Sequence, residues 1–74
     1  MTVLSDLQKC KAIALQAQGT YETFEQATQD PTAKQMFKDL ANDMQRHVQV
    51  LDNRIQYLQH TNELNYEQQQ RQQQ

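Results

Sequence analysis

The sequence predicts an all-α protein that folds as one antiparallel helical hairpin. Its 74 residues include a single glycine and a single proline, and they are rich in glutamine, leucine and alanine, which favour helix. The proline, Pro31, separates two stretches in which apolar residues recur at helical spacing. We therefore expect two helices, at about residues 3–28 and 31–61, in one domain that spans residues 1–62.

The turn between the helices is predicted from residues 28–32, Thr-Gln-Asp-Pro-Thr. Asp30 is a good N-cap, because its carboxylate can accept a hydrogen bond from a free N–H group of the first turn. Pro31 then occupies the first helical position, where its missing N–H costs nothing. Since a proline disfavours helical geometry in the residue before it, the first helix should end near Thr28 or Gln29.

The first helix carries an apolar stripe with the spacing of a heptad repeat. Thr2 is the preferred N-cap, although Ser5 and Gln8 also fit a capping box. The positions predicted to face the second helix are Val3, Leu7, Cys10, Ala14, Ala17, Tyr21, Phe24 and Thr28. Gly19 lies outside this stripe, and either a close helix–helix approach or an incidental surface position explains it.

The second helix has a similar stripe, which fades near residue 61. Its members are Ala33, Phe37, Leu40, Met44, Val48, Leu51, Ile55 and Leu58. Beyond it, residues 63–74 are glutamine-rich and show no apolar period, so we expect a tail that is disordered or a frayed helical extension. Tyr66 is a candidate anchor that folds this tail back.

One antiparallel register brings the two stripes together, with Phe24 against Phe37 and Leu7 against Ile55. The same register predicts exposed ion pairs that disfavour a slipped alignment, namely Glu22–Lys38, Lys9–Asp52 and Asp6–Arg54. One flank of the hairpin is polar and is expected to face solvent; it carries Lys11, Gln18, Ala41, Gln45 and Asp52.

The other flank is apolar and is predicted to be an oligomer interface. A chain this short rarely builds a sufficient core alone, and two helices cover each stripe from one side only. The residues predicted to form the interface are Ile13, Ala27, Met36, His47, Val50 and Tyr57. Two hairpins that meet through this flank would make a homodimeric four-helix bundle.

Charge and composition exclude several classes of function. The net charge is −2 and the seven lysines and arginines are scattered singly, which opposes a nucleic-acid surface and an anionic-membrane anchor. The single cysteine excludes an intrachain disulfide framework. No apolar run approaches the ~20 residues of a membrane span, and no signal peptide is evident, so we expect a cytoplasmic protein.

No catalytic residue, cofactor or metal site is predicted, and we expect the protein not to be an enzyme. Cys10 lies in the apolar stripe and is interpreted as core packing rather than as a reactive thiol. Asp43 and His47 share one helix face, but the chain lacks the Glu-x-x-His motif that di-iron bundles use. We therefore expect no metal at His47 or His60.

The features that carry a family resemblance are Met1-Thr2-Val3, Glu22, Phe24, Thr28, Asp30, Ala33-Lys34, Phe37, Ala41, Gln45, Leu51, Arg54-Ile55, Leu58 and Tyr66. In these features the sequence resembles a family of short proteins of unknown function from spore-forming Firmicutes that begin Met-Thr-Val. The resemblance covers about residues 1–66. It implies a ferritin-like helical hairpin that is often encoded near spore membrane-channel operons, and it implies no catalytic residues.

Three hypotheses about function follow. The first is a structural or interaction protein, a small oligomeric bundle with a protein partner in the forespore or spore. The second is a ferritin-like metal-binding or redox protein, which the missing Glu-x-x-His motif opposes. The third is a peripheral membrane-binding amphipathic hairpin, which the weakly charged, glutamine-rich polar face opposes. We therefore favour the interaction protein.

Overall fold

The protein is an all-α helical hairpin, as predicted. The computed structural model describes the backbone of residues 2–72 and the side chains of residues 2–61. Helix α1, Val3–Ala27, is joined by a three-residue turn to helix α2, Pro31–Gln72, and the backbone described contains no strand. Met1, residues 73–74 and the side chains of the predicted tail, including the candidate anchor Tyr66, lie outside the described residues.

The start of α1 is fixed by the predicted cap. The Thr2 hydroxyl accepts a hydrogen bond from the backbone N–H of Ser5 at 3.0 Å, and the Thr2 carbonyl accepts from the N–H of Asp6. Asp6 also places a negative charge in the first turn, where the helix dipole favours it. Thr2 therefore satisfies free N–H groups that would otherwise need water.

The turn is held by hydrogen bonds from both sides of Pro31. The Asp30 carboxylate accepts from the N–H of Ala33 at 3.0 Å, which is the geometry of an N-cap. At the end of α1, the Lys34 ammonium donates to the Glu25 carbonyl at 2.9 Å. Because the last turn of α1 has no basic residue of its own, Lys34 supplies the positive charge that favours this helix end.

Helix α2 continues past the end of its apolar stripe. The stripe fades near residue 61, and of the two states expected for the tail, disorder or a helical extension, the backbone has the helical one as far as Gln72. No glycine or proline interrupts residues 62–72, and glutamine, glutamate and arginine all have good helix propensity. Loss of an apolar face therefore marks the end of packing against α1 rather than the end of the helix.

The packing face of α1 is rotated relative to the predicted stripe. Val3, Cys10 and Phe24 were expected to face α2, but they are exposed. The other five predicted residues, Leu7, Ala14, Ala17, Tyr21 and Thr28, are buried or partly buried as expected, and the packing face extends to one side of them through Leu4, Lys11, Gln18 and Glu25. The interpretation of Cys10 as a core residue is therefore wrong.

The core between the helices is small. Among the side chains that are described, three are buried and apolar, namely Ala14 at 7% exposure, Ala41 at 5% and Ile55 at 5%. Ala41 had been placed on the solvent-facing flank, together with Lys11, Gln18 and Asp52, and that assignment is wrong because α1 turns toward this flank. Two of the three buried side chains are alanines, and most of the larger apolar side chains between the helices are only partly buried.

The predicted register is confirmed near the turn, where the Phe24 and Phe37 ring centroids are 5.8 Å apart. The predicted ion pairs are not formed among the described side chains. Asp52 pairs with Lys11 rather than with Lys9, because the rotation of α1 brings Lys11 toward α2. The acidic residue of the interhelical ion pair is therefore the predicted one, Asp52. The basic residue, Lys11, lies two positions after the predicted Lys9 on α1.

The hairpin is long and thin, with extents of 66 × 18 × 13 Å. Its radius of gyration is 18.3 Å, whereas a compact domain of this length has about 11 Å. Gly19 is exposed, and a Cβ atom added there would meet nothing within 4 Å, so this glycine does not mark a close helix approach. Two paired helices leave a substantial number of large apolar side chains exposed, and among those described they are Val3, Ile13, Leu15, Phe24, Met36, Val50 and Tyr57.

Candidate functional site

One side of the hairpin carries a set of mainly apolar side chains, most of them exposed, which we call the apolar face. It is formed by Val3, Cys10, Ile13, Ala17 and Phe24 of α1 and by Met36, His47, Val50 and Tyr57 of α2. The large residues at its centre, Ile13 and Val50, are 66% and 68% exposed. Leu15 is also exposed, but it lies on the far side of α1.

The middle of the apolar face is a groove between the two helices. It is lined by Cys10, Ile13, Ala14 and Ala17 from α1 and by Met44, Arg46, His47, Val50 and Leu51 from α2. The spacings of three and four place the four α1 residues on one surface of that helix. Ala14 and Ala17 are small, so the surface is depressed where they stand beside the larger side chains of α2.

The charged groups next to the groove already have partners on α2. Arg46 forms an ion pair with Asp43, one turn earlier on α2. The Arg54 guanidinium lies 4.8 Å from the centroid of the Tyr57 ring, a distance typical of a cation–π contact. Arg46, Asp43 and Arg54 are therefore engaged within α2, beside the apolar side chains of the groove.

The opposite side of the hairpin is closed by polar contacts between the helices. Lys11 Nζ lies 2.6 Å from Asp52 Oδ1, and both side chains are partly buried. Gln56 Nε2 donates to the other carboxylate oxygen of Asp52 at 3.0 Å. The hairpin therefore has two unlike sides, one closed by an ion pair and one open and apolar.

The six residues that the sequence predicted as an interface are all exposed. Ile13, His47 and Val50 line the groove, and the structure brings them together. On α2, Met36 and Tyr57 lie at opposite ends of the apolar face. Ala27 is the last residue of α1. Their role as an interface stays a prediction.

The sequence analysis had assigned four residues of this face, Val3, Cys10, Ala17 and Phe24, to the contact between α1 and α2. Ala17 is partly buried there, and the Phe24 ring contacts Phe37, but Val3, Cys10 and Phe24 are exposed. Exposed and partly buried residues of α1 share heptad spacing, so the pattern alone did not separate the two edges. The exposure of Phe24, beside a packed Phe37, is the observation that distinguishes them.

The histidines and acidic residues are dispersed along the hairpin. Within residues 2–61, no group of three histidine, cysteine, aspartate or glutamate side chains is arranged to hold a metal ion. Asp43 is paired with Arg46 rather than with His47, and His60 is exposed more than three turns further along α2. Over the part of the chain that the structure describes, neither helix is long and apolar enough to cross a membrane.

A protein-family model described as protein of unknown function (DUF1657) matches residues 2–55. The chain belongs to this family. The DUF1657 match spans all of α1, the turn and every residue that lines the groove. Searches of curated proteins and of solved structures find no match. The expected membership in a family of unknown function is confirmed, and the unit that DUF1657 defines here is the paired part of the hairpin.

Proposed function

We propose that the protein is a non-enzymatic interaction protein that works as a homodimer. In this dimer, two hairpins pack their apolar faces together and form a four-helix bundle. The observation that carries the proposal is the groove centred on Ile13 and Val50, which is the most exposed apolar region of a hairpin with a very small core.

The energetics of burial support a second copy as the occupant of the groove. Full burial of a large aliphatic or aromatic side chain contributes roughly 1.5–3 kcal/mol. The large exposed residues of the apolar face are Val3, Ile13, Phe24, Met36, Val50 and Tyr57. These side chains are 51–68% exposed in the single hairpin, so a second copy would remove much of their remaining apolar surface from water and would couple association to folding.

The charge distribution also suits a second copy. A two-fold interface presents the same surface twice, so a net charge at its centre would repel its own copy. Here Arg46 is neutralised by Asp43, and Arg54 lies over Tyr57 at the edge of the face. An apolar centre with a polar rim is the usual anatomy of a stable protein interface.

The test compares the wild type with Val50→Asp and a matched control by sedimentation equilibrium at micromolar concentration. Gln45→Asp is the control, because Gln45 is an exposed residue of α2 on the other side from the groove. A dimer is expected for the wild type and for Gln45→Asp. Val50→Asp should be monomeric, since its carboxylate would lose hydration in an apolar interface.

Circular dichroism and thermal melts complete the test. The melting temperature of the wild type should rise with protein concentration, because only the folded chains associate. A wild type that is folded and monomeric at micromolar concentration would refute the proposal. Dimerisation of Val50→Asp as strong as that of the wild type would assign the interface to another surface.

We further propose a cellular setting from the family resemblance. The resemblance to short Met-Thr-Val proteins of spore-forming Firmicutes suggests a cytoplasmic role in the forespore or spore. The candidate protein partners include spore membrane proteins. Cross-linking and pull-down from sporulating cells test this, with the wild type as bait and Val50→Asp as the control. Recovery of the chain only with itself would leave the dimer as its sole interaction.

A further inference from the structure

We infer that His47 makes the homodimer sensitive to pH, so that two hairpins associate at neutral pH and separate as the pH falls through about 6. This inference rests on the proposed homodimer and adds a means of regulation to it. It follows from the position of His47 in the groove, from the chemistry of the groups around it and from the sign of the net charge.

His47 places a titratable side chain in the middle of the proposed interface. It is exposed in the single hairpin, and it lines the groove together with Ile13 and Val50. Histidine is the side chain that ordinarily gains or loses a proton between about pH 5 and 8. In the single hairpin, water can solvate both forms of the imidazole. In the dimer, the interface would exclude this water, and burial disfavours the charged form.

The neighbours of His47 on α2 do not favour a positive charge. Arg46, the residue before it, also lines the groove and is itself cationic. Asp43, one turn earlier, is engaged by Arg46. Asp52 is held by Lys11 on the side of the hairpin that faces away from the groove. The acidic groups of α2 closest to His47 in sequence are therefore already engaged with other cations.

Helix α1, which packs against α2 across the groove, presents no carboxylate to His47 among the described side chains. The α1 residues that line the groove are apolar except for the thiol of Cys10. In the register of the hairpin, the carboxylates of α1 lie about two turns or more from the level of His47, and they are Asp6, Glu22 and Glu25. A protonated imidazole in the groove thus depends on water to stabilise its charge.

A second copy would bring the same face and no acidic partner. The residues that form the apolar face include no aspartate or glutamate, and its other titratable members are Cys10 and Tyr57. Thiols and phenols are neutral below about pH 8. Because both subunits contribute the same surface, this holds whichever way round the two hairpins lie. Protonation would therefore leave two imidazolium groups without hydration or a counter-charge in an apolar interface.

The net charge of the chain predicts the opposite response to acid. The chain carries −2 with both histidines neutral, so protonation of His47 and His60 would bring it to zero. Two copies of a neutral chain repel each other less than two copies of a charged chain. Overall charge would thus strengthen the dimer as the pH falls, whereas burial of His47 in the interface weakens it. The sign of the pH response separates the two effects.

The size of the response follows from proton linkage. A histidine in water is half protonated at about pH 6.5, so it is about one-tenth protonated at pH 7.5 and about nine-tenths at pH 5.5. The free chains would bind this proton at His47, whereas the dimer would hold both copies neutral. Since the free chains bind more protons than the dimer, acid favours the free chains. With two such groups in each dimer, the dissociation constant should rise by up to about 100-fold between these pH values.

Sedimentation equilibrium of the full-length protein at about pH 7.5 and pH 5.5, at one ionic strength, tests the inference. His47→Gln removes the titrating group and keeps a polar side chain. His47→Leu is a second variant, which keeps the interface apolar if glutamine itself weakens association. His60→Gln is the matched control, because His60 is exposed on the same helix and does not line the groove.

The dissociation constants of the wild type and of His60→Gln should rise by at least about 10-fold at the lower pH. Those of the two His47 variants should change little or fall. A wild-type dimer that is equally strong at both pH values overturns the inference and leaves the homodimer standing, and so does a weakening in acid that persists in both His47 variants. A wild type that is monomeric at both pH values overturns the homodimer and the inference together.

Discussion

The Lys11 ammonium and the Asp52 carboxylate join α1 to α2 at 2.6 Å, on the side of the hairpin that faces away from the groove. The side chains are 34% and 29% exposed, so water partly screens their attraction. The contact spans 41 positions of the chain, and it therefore fixes the register of the hairpin as well as contributing to its stability. A slip of one helical turn would separate the two groups.

Asp52→Asn should lower the free energy of unfolding by ~0.2–1 kcal/mol, since it removes the charge and keeps the shape of the side chain. The loss should shrink as salt approaches ~1 M, where charges are screened within a few ångströms. Urea denaturation measures both effects. Asp39→Asn is the control, because Asp39 accepts a hydrogen bond from Gln35 within α2. Equal losses in the two variants would contradict a specific role for the interhelical pair.

Asp30→Ala should destabilise the protein by ~0.5–2 kcal/mol, because the N–H of Ala33 loses its hydrogen-bond acceptor at the start of α2. Gln29→Ala, in the neighbouring exposed turn position, is the control and should change stability little. Thermal melts of the three proteins at one concentration provide the comparison. An unchanged melting temperature for Asp30→Ala would show that water replaces the cap.

Gly19→Ala should stabilise the protein by ~0.5–1 kcal/mol, because alanine is the better helix former and the added Cβ atom meets nothing within 4 Å. Ala12→Gly, at an exposed position of the same helix, should have the opposite sign and a similar size. Both are read from urea denaturation. If Gly19→Ala destabilises the protein, Gly19 must face a surface that one hairpin does not provide.

The Cys10 thiol should react with a disulfide reagent more slowly as protein concentration rises. Cys10 is exposed in the single hairpin and lines the groove, so the proposed dimer would cover it. The Val50→Asp variant should react at a rate that is independent of concentration. Rates are followed by absorbance of the released thiolate. A wild-type rate that does not vary with concentration would place Cys10 outside the dimer interface.

Protein purified without an affinity tag should contain no stoichiometric iron, zinc or manganese. The reason is the dispersal of its potential ligands, since Asp43 is engaged by Arg46 and the two histidines lie more than three turns apart on α2. Elemental analysis after dialysis is the measurement. One or more metal ions per chain would overturn this expectation and would favour a ferritin-like role instead.

The sequence predicted the features that depend on local chemistry. The cap at Thr2, the break at residues 28–30 and the start of α2 at Pro31 each follow from one or two side chains. The Phe24–Phe37 contact follows from the only register in which both apolar stripes meet. These features need no knowledge of what the rest of the surface contacts.

The rotation of α1 was beyond the sequence pattern. Apolar residues cover an arc of this helix that has two edges, one with Leu4 and Leu7 and one with Val3 and Cys10. Either edge can pack against α2, and the structure selects the first. Lys11 is compatible with that edge because its long stem packs while its ammonium reaches Asp52. The charged head group of Lys11 was the reason for its assignment to the solvent-facing flank, although its aliphatic stem is partly buried.

The sequence pattern left the state of the chain after residue 61 and the occupant of the apolar face open, for different reasons. An apolar stripe reports which residues pack, whereas helix propensity decides which residues are helical, and the two diverge after residue 61. Whether Ile13 and Val50 are buried depends on contact with a second molecule. The periodicity of a single sequence does not show such a contact directly.

The 66 Å length of the hairpin has a consequence for how the protein diffuses. Hydrodynamic drag on a thin rod is set mainly by its long axis, and a side-by-side dimer doubles the mass while lengthening that axis little. Monomer and dimer should therefore differ less in diffusion coefficient than globular proteins of the same masses. A monomeric hairpin would elute from a gel-filtration column like a larger globular protein. A mass measurement that does not depend on shape is therefore needed to distinguish the monomer from the dimer.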